Sequence, residues 1–174
     1  MKRNYSNTQD GFTLLELMIT VAIAGILLGV GVPSLRNMMI NNRVTSYSND
    51  FTSSLYLTRS EAVKRGTRVT MCKSTNGTAC AAGGDWQQGW VIFEDDNSDG
   101  AFAANDVIQV HEAFATNVTL TGAGATGAYV SFIANGTAQT TSGIAQAGTM
   151  TVSMSGNTRT ITLTSVGRVS VTHP

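Results

Sequence analysis

Gly11-Phe-Thr-Leu-Leu-Glu-Leu-Met-Ile-Thr-Val-Ala-Ile-Ala-Gly-Ile-Leu-Leu-Gly-Val-Gly-Val32 carries a single formal charge, Glu16, close to its start. From Phe12 onward it is 21 residues long. At about 1.5 Å of rise per residue, a helix of that length spans roughly 30 Å, the hydrocarbon thickness of a bilayer. Residues 12–33 are therefore expected to cross a membrane. A secretory signal has a shorter apolar core with a small-residue cleavage site behind it, whereas Pro33 follows this one without an Ala-x-Ala pattern. The apolar run is expected to stay on the mature chain.

Glu16 needs a reason to be there, because a carboxylate within a membrane segment costs on the order of 2.5–3.5 kcal/mol. One reading gives it a partner from elsewhere, since no basic residue lies within a helical turn or two on the same helix. The other lets it snorkel to the headgroups from the helix start.

A short polar leader ending in Gly11, then Phe12-Thr-Leu-Leu-Glu16, then an apolar run closed by Pro33, resembles the class III signal of type IV pilins and type II secretion pseudopilins. The resemblance implies that a prepilin peptidase cuts between Gly11 and Phe12 and methylates the new Phe12 amine. It also implies that Glu16 pairs with the N-terminal amine of a neighbouring subunit. The expected partners are then other pilin or pseudopilin subunits, the peptidase and the bacterial inner membrane, with the head in the periplasm.

Working outward, residues 1–11 read as a removable leader and are set aside from the fold. Beyond Pro33 the helical period resumes through Leu35, Met38, Val44, Tyr47, Phe51, Leu55, Thr58 and Ala62, an apolar stripe that needs a surface to bury against. Pro33 is expected to kink this helix without ending it. Lys64, Arg65 and Gly66 form a C-terminal signal. The expected amphipathic segment is 34–66, in a rod of about 50 residues and some 75 Å.

From Thr67 the period becomes that of strands. Val69 and Met71 alternate with Arg68 and Thr70, and Trp90–Phe93, Val107–Phe114, Asn117–Leu120, Ala128–Ile133, Thr149–Met154 and Thr158–Leu163 follow. Gly156-Asn157 marks a short hairpin, and a last strand is expected over Arg168–Val171. The fold class is α+β: one long N-terminal helix packed on an antiparallel sheet or two-sheet head spanning 67–174.

Charge is balanced overall, with 11 basic and 11 acidic residues among 174, which does not suit a strongly basic nucleic-acid binder. Its distribution is uneven. Between Arg36 and Lys73 the basic residues Arg36, Arg43, Arg59, Lys64, Arg65, Arg68 and Lys73 stand against only Asp50 and Glu61, and no Lys or Arg occurs from Ser74 to Glu112. This segregation allows complementary stacking between copies; a solvated helix face opposite an acidic loop is the plainer reading.

Cys72 and Cys80 are the only cysteines. In an oxidising compartment such a pair reads as a disulfide closing a small loop, with a stabilisation of about 2–3 kcal/mol at most. The spacing does not suit a zinc site. No cofactor and no metal are expected.

A second group of residues, Arg59-Ser-Glu-Ala62, Cys72, Trp86-Gln-Gln-Gly-Trp90 and Val91-Ile-Phe93 leading into Asp95-Asp-Asn-Ser-Asp-Gly100, is similar to the GspH/FimT/FimU family of minor pilins and pseudopilins. Both tryptophans also read as core aromatics around a Gly turn.

Further patterns bear on chemistry. Asp95-x-Asn97-x-Asp99-Gly100, with Asp106 beyond, matches half of a calcium loop but reads as a polar turn between strands. Gly122-Ala-Gly-Ala-Thr-Gly127 is a literal G-x-G-x-x-G without the following helix that a phosphate site needs, so it reads as an inter-strand loop. His111 and His173 stand in no nucleophile or metal motif, and the chain is not expected to be an enzyme. Some FimT-type members of the resembled family bind DNA through a C-terminal Gly-Arg-x-Arg element. Gly167-Arg168-Val-Ser170 keeps the first arginine only. Arg168 and Arg159, with Lys73 or Arg68 nearby, are the candidate contacts to double-stranded DNA in uptake for transformation; alternatively, Arg168 protects a sheet edge.

Overall fold

The computed structural model describes residues 11–173. The leader expectation falls outside them except for Gly11, which is exposed. Helix α1 runs unbroken from Leu14 to Arg65, through Pro33. It ends where expected: Gly66 adopts φ +70°, and its N–H donates to the Ala62 carbonyl (3.0 Å), closing the last turn as only a residue without Cβ does cheaply.

The chain divides into two compact units, one ending at Met39 and one beginning at Ile40. In the first, α1 buries nothing: its apolar side chains, from Leu14 to Met39, are exposed. Leu35 (62% exposed) and Met38 (61%) therefore do not belong to the packed stripe, contrary to the periodic reading. The packed stripe starts at Val44 and continues through Ser48, Phe51, Ser54, Leu55, Thr58 and Ala62.

Three of those seven residues bear a hydroxyl, which the hydrogen bonds explain. Ser48, Ser54 and Thr58 each donate back to the carbonyl four residues earlier, at 2.7, 3.0 and 2.7 Å. A small side chain whose polar atom is satisfied within its own helix lets the sheets approach closely at little desolvation cost. Phe51 then fills the centre, edge-on to Trp86 (5.1 Å between centroids) and Trp90 (5.2 Å).

Eight strands are seen among the described residues: β1 (Val69–Lys73), β2 (Trp90–Glu94), β3 (Val107–His111), β4 (Thr119–Gly124), β5 (Tyr129–Phe132), β6 (Gly148–Met154), β7 (Asn157–Leu163) and β8 (Val169–Thr172). They form two antiparallel four-stranded sheets, ordered β3-β2-β1-β5 and β4-β6-β7-β8. In the first sheet β1 is buried along its whole length, because both faces are covered. Val69, Met71, Trp90, Ile92, Val130 and Phe132 join the core with α1, while Cys72, Val91 and Phe93 pack behind it under Phe102 and Tyr129. The second sheet alternates; Met150, Val152, Ile161 and Leu163 face the core and the residues between them are partly exposed.

Two local expectations move. The hairpin between β6 and β7 turns on Ser155-Gly156, both at positive φ (49° and 85°), with Asn157 already paired to Met154. The glycine-rich run is not all loop, since Gly122 to Gly124 are the end of β4. A Cβ on Gly122 would meet the Thr126 carbonyl and the Trp86 indole nitrogen. That bare position is what admits the hydrogen bond from Trp86 Nε1 to Thr126 O (3.0 Å).

Candidate functional site: the helix start and the head surfaces

Phe12 is 84% exposed and Thr13 stands just before α1. The Glu16 N–H donates to Thr13 Oγ1 (3.2 Å), so Thr13 caps the helix and Glu16 is its third residue. A Thr followed three residues later by Glu is a capping-box pattern, visible in the sequence and missed there. A carboxylate in the first turn also meets the positive end of the helix dipole. Glu16 is exposed and makes no salt bridge among the described residues. The helix over Leu14–Arg65 contains a stretch long and apolar enough to cross a membrane, none of it buried.

Cys72 and Cys80 are joined by a disulfide. The loop it closes lies against β3, since a Cβ on Gly77 would meet Val110 at 2.7 Å. Trp86 and Trp90 are both fully buried core aromatics, and His111 stacks flat on Trp90 (3.9 Å, 9°).

Near the end of α1, Arg59 Nε donates to the Gly136 carbonyl (2.9 Å) and Tyr56 OH to the Val169 carbonyl (3.1 Å), tying the helix to the turn after β5 and to the start of β8. Arg65 bridges Glu61 (2.8 Å) and Glu94 (2.6 Å). Hydrogen bonds from Arg65 and then Lys64 hold the Glu61 carboxyl below its ordinary range; Thr67 and then Arg65 do the same for Glu94. Arg65 is raised in turn by its two carboxylates.

Much of the segregated charge is thus used inside the head. Arg68 donates to Ser131 Oγ (2.9 Å), Ser131 meets Thr70 Oγ1 (2.9 Å), and Thr70 donates to Asp95 Oδ2 (3.2 Å), a buried relay linking cation to carboxylate through two hydroxyls. Asp95 also accepts from the Gly100 N–H. Its carboxylate is turned into the head, away from Asn97 and Asp99, which bond to each other (2.8 Å). The 95–100 segment therefore folds as a self-satisfied turn.

The structure does not gather the four candidate DNA contacts. Lys73 is buried, with Nζ donating to the Gly84 carbonyl (2.7 Å), and Arg68 is buried in the relay. Arg168 is exposed and pairs with Thr164; Arg159 lies five residues from Thr164 along β7, opposite Val152. Five strand residues span roughly 17 Å and reverse the face, so the two arginines sit at different ends and on different sides of the sheet.

A capped helix that is apolar and bare along its first half, and packed through its second half on two antiparallel sheets, defines a type IV pilin-like subunit. Residues 48–167 match the family described as type II transport protein GspH, and residues 6–32 match the prokaryotic N-terminal methylation motif. The chain belongs to the GspH family. Among solved structures it is similar to the type IV minor pilin FimU of Pseudomonas aeruginosa, with a TM-score of 0.57 and 21% identity over 75% of this chain and 89% of that one. It is also similar to the minor pseudopilin EpsH of the Vibrio cholerae type 2 secretion system, with a TM-score of 0.52 and 12% identity over 75% of this chain and 97% of that one. At these identities the likeness is one of fold.

Proposed function

We propose that this chain is a minor subunit of a type IV pilus or of a type II secretion pseudopilus, with a structural role. Its leader is removed by a prepilin peptidase between Gly11 and Phe12, and the Phe12 amine is methylated. The protein then waits in the inner membrane with its head in the periplasm, until α1 enters a bundle of like helices and Glu16 meets the amine of a neighbour. The observation that carries this reading is the bare apolar first half of α1. Each large apolar side chain it withdraws from water is worth about 1.5–3 kcal/mol, so the segment requires lipid or other helices around it.

Glu16→Ala tests it. The variant is expected to insert in the membrane at parental levels and to be missing from sheared filaments or cross-linked pseudopili. Normal incorporation would refute the pairing.

A further inference from the structure

Two of the sheet edges in the head are capped from within the chain. Beyond β5, Gln139 N–H donates to the Ser131 carbonyl (3.1 Å) and Gln146 Oε1 accepts from the Ser131 N–H (2.9 Å). Beyond β4, Gln87 Oε1 accepts from the Leu120 N–H (2.9 Å). β3 has no such cap. Ser74 N–H donates to the Gly89 carbonyl, which commits Val91 to β1 and leaves Trp90 and Ile92 for β3. His111 and Gln109 therefore face β2, and Val110 turns its N–H and C=O away from the sheet, where they meet no partner among the described residues.

A cleft of about 340 Å³ opens beside this edge, between the disulfide loop (Ser74, Asn76 and Gly77) and the end of β3 (Val110, His111 and Glu112). The polar side chains on the loop side are already occupied: Asn76 Oδ1 accepts from the Thr78 N–H (3.0 Å), and Ser74 Oγ donates to the Ala79 carbonyl (2.7 Å). The Glu112 carboxylate is exposed and makes no salt bridge among the described residues. Glu112 stands two residues beyond Val110, so both side chains lie on the face of the sheet that the loop covers. No Lys or Arg occurs from Ser74 to Glu112 to neutralise it locally.

We propose that β3 receives an extended segment from a different subunit of the same filament, added antiparallel. A β-branched residue of that segment lies opposite Val110 and exchanges both free backbone hydrogen bonds with it. Two positions nearer the segment's N-terminus, a lysine or arginine falls opposite Glu112. Directly opposed residues share a face, so this cation points to the same side as the carboxylate and the cleft. The backbone groups supply the attachment, and the acidic cleft selects the side chain.

A second copy of this chain does not fit. Its other uncapped edge, β8, puts Val169 opposite Glu112 when Val171 lies opposite Val110, and so brings no cation to the cleft. Two β3 edges would bring acidic ends together, since Asp106 and Glu112 flank the strand. The contact therefore joins unlike chains once and does not propagate, as a minor subunit requires. It rests on the function proposed above only for the identity of the partner.

The test uses the full-length Val110→Cys chain in detergent micelles and the peptide acetyl-Thr-Lys-Thr-Cys-Thr-Val-Thr-amide, whose cysteine falls opposite position 110 and whose lysine falls opposite Glu112. Opposed residues in a hydrogen-bonded antiparallel pair have Cα atoms about 5.5 Å apart, within disulfide reach. The lysine peptide is expected to be captured about three- to tenfold more than its glutamate counterpart, and Glu112→Lys in the chain to reverse the preference. Methylating the peptide's cysteine amide removes the donor to the Val110 carbonyl and is expected to abolish capture. Capture indifferent to that methyl group, or a preference that Glu112→Lys leaves unchanged, would overturn the proposal; neither result touches the filament role, which Glu16→Ala reads separately. In cells, a benzoyl-phenylalanine photo-crosslinker at position 110 is expected to join this chain to a second filament subunit, with the product lost in Glu112→Lys. Products containing only this chain would overturn it as well.

Discussion

Arg65 illustrates how much one side chain decides in this head. It spans Glu61 on its own helix and Glu94 at the end of β2. Both carboxyls are held below their ordinary value of 4.5, so the folded state binds their protons less readily than the unfolded chain does. The stabilisation is therefore complete above the unfolded carboxylate range and fades as pH falls through the folded values. Thermal melts below pH 4.5 should lose stability more steeply for the parent than for Arg65→Ala; parallel curves would show that the bridge is inert. At Trp86, replacement by Phe keeps an aromatic side chain but removes the indole N–H and strands the Thr126 carbonyl, at a cost of about 1–3 kcal/mol from that lost bond alone, read by urea unfolding. Arg168 stands apart from Arg159, so DNA binding by the full chain should show the weak salt dependence of about one phosphate contact in an anisotropy titration at two salt concentrations. A steep, Arg168-dependent slope would restore the DNA-uptake reading.

The elements are held by contacts of different reach. Phe51 is the centre of α1's packed face, and Phe51→Ala should cost about 3–5 kcal/mol, because neither indole can move to fill the space without leaving its strand or turn. The Cys72–Cys80 link acts locally, closing a short loop against β3. Replacing both cysteines by serine is expected to lower stability by about 2–3 kcal/mol in urea melts while leaving the two sheets intact.

At the scale of the whole molecule, every residue of the main core lies from Val44 onward. A chain beginning at Ile40 should accordingly melt cooperatively and keep its near-ultraviolet signal; a molten profile would mean that the apolar first half of α1 supports the head. The long helix, its stop at Gly66, the strand positions and the disulfide were legible in the sequence, because hydrophobic period, a C-terminal glycine and an even cysteine pair are local signals. The Gly11-Phe12 start, Glu16 and the apolar run closed by Pro33 carry the resemblance to pilins in the sequence itself, and the match of residues 6–32 to the N-terminal methylation motif agrees with it. Tertiary structure alone showed that Leu35 and Met38 lie outside the packed stripe, that Asp95 turns inward, and that Arg159 and Arg168 part company. Which face a side chain shares, and with whom, depends on strand order and register across residues far apart in the chain, and no local pattern encodes that.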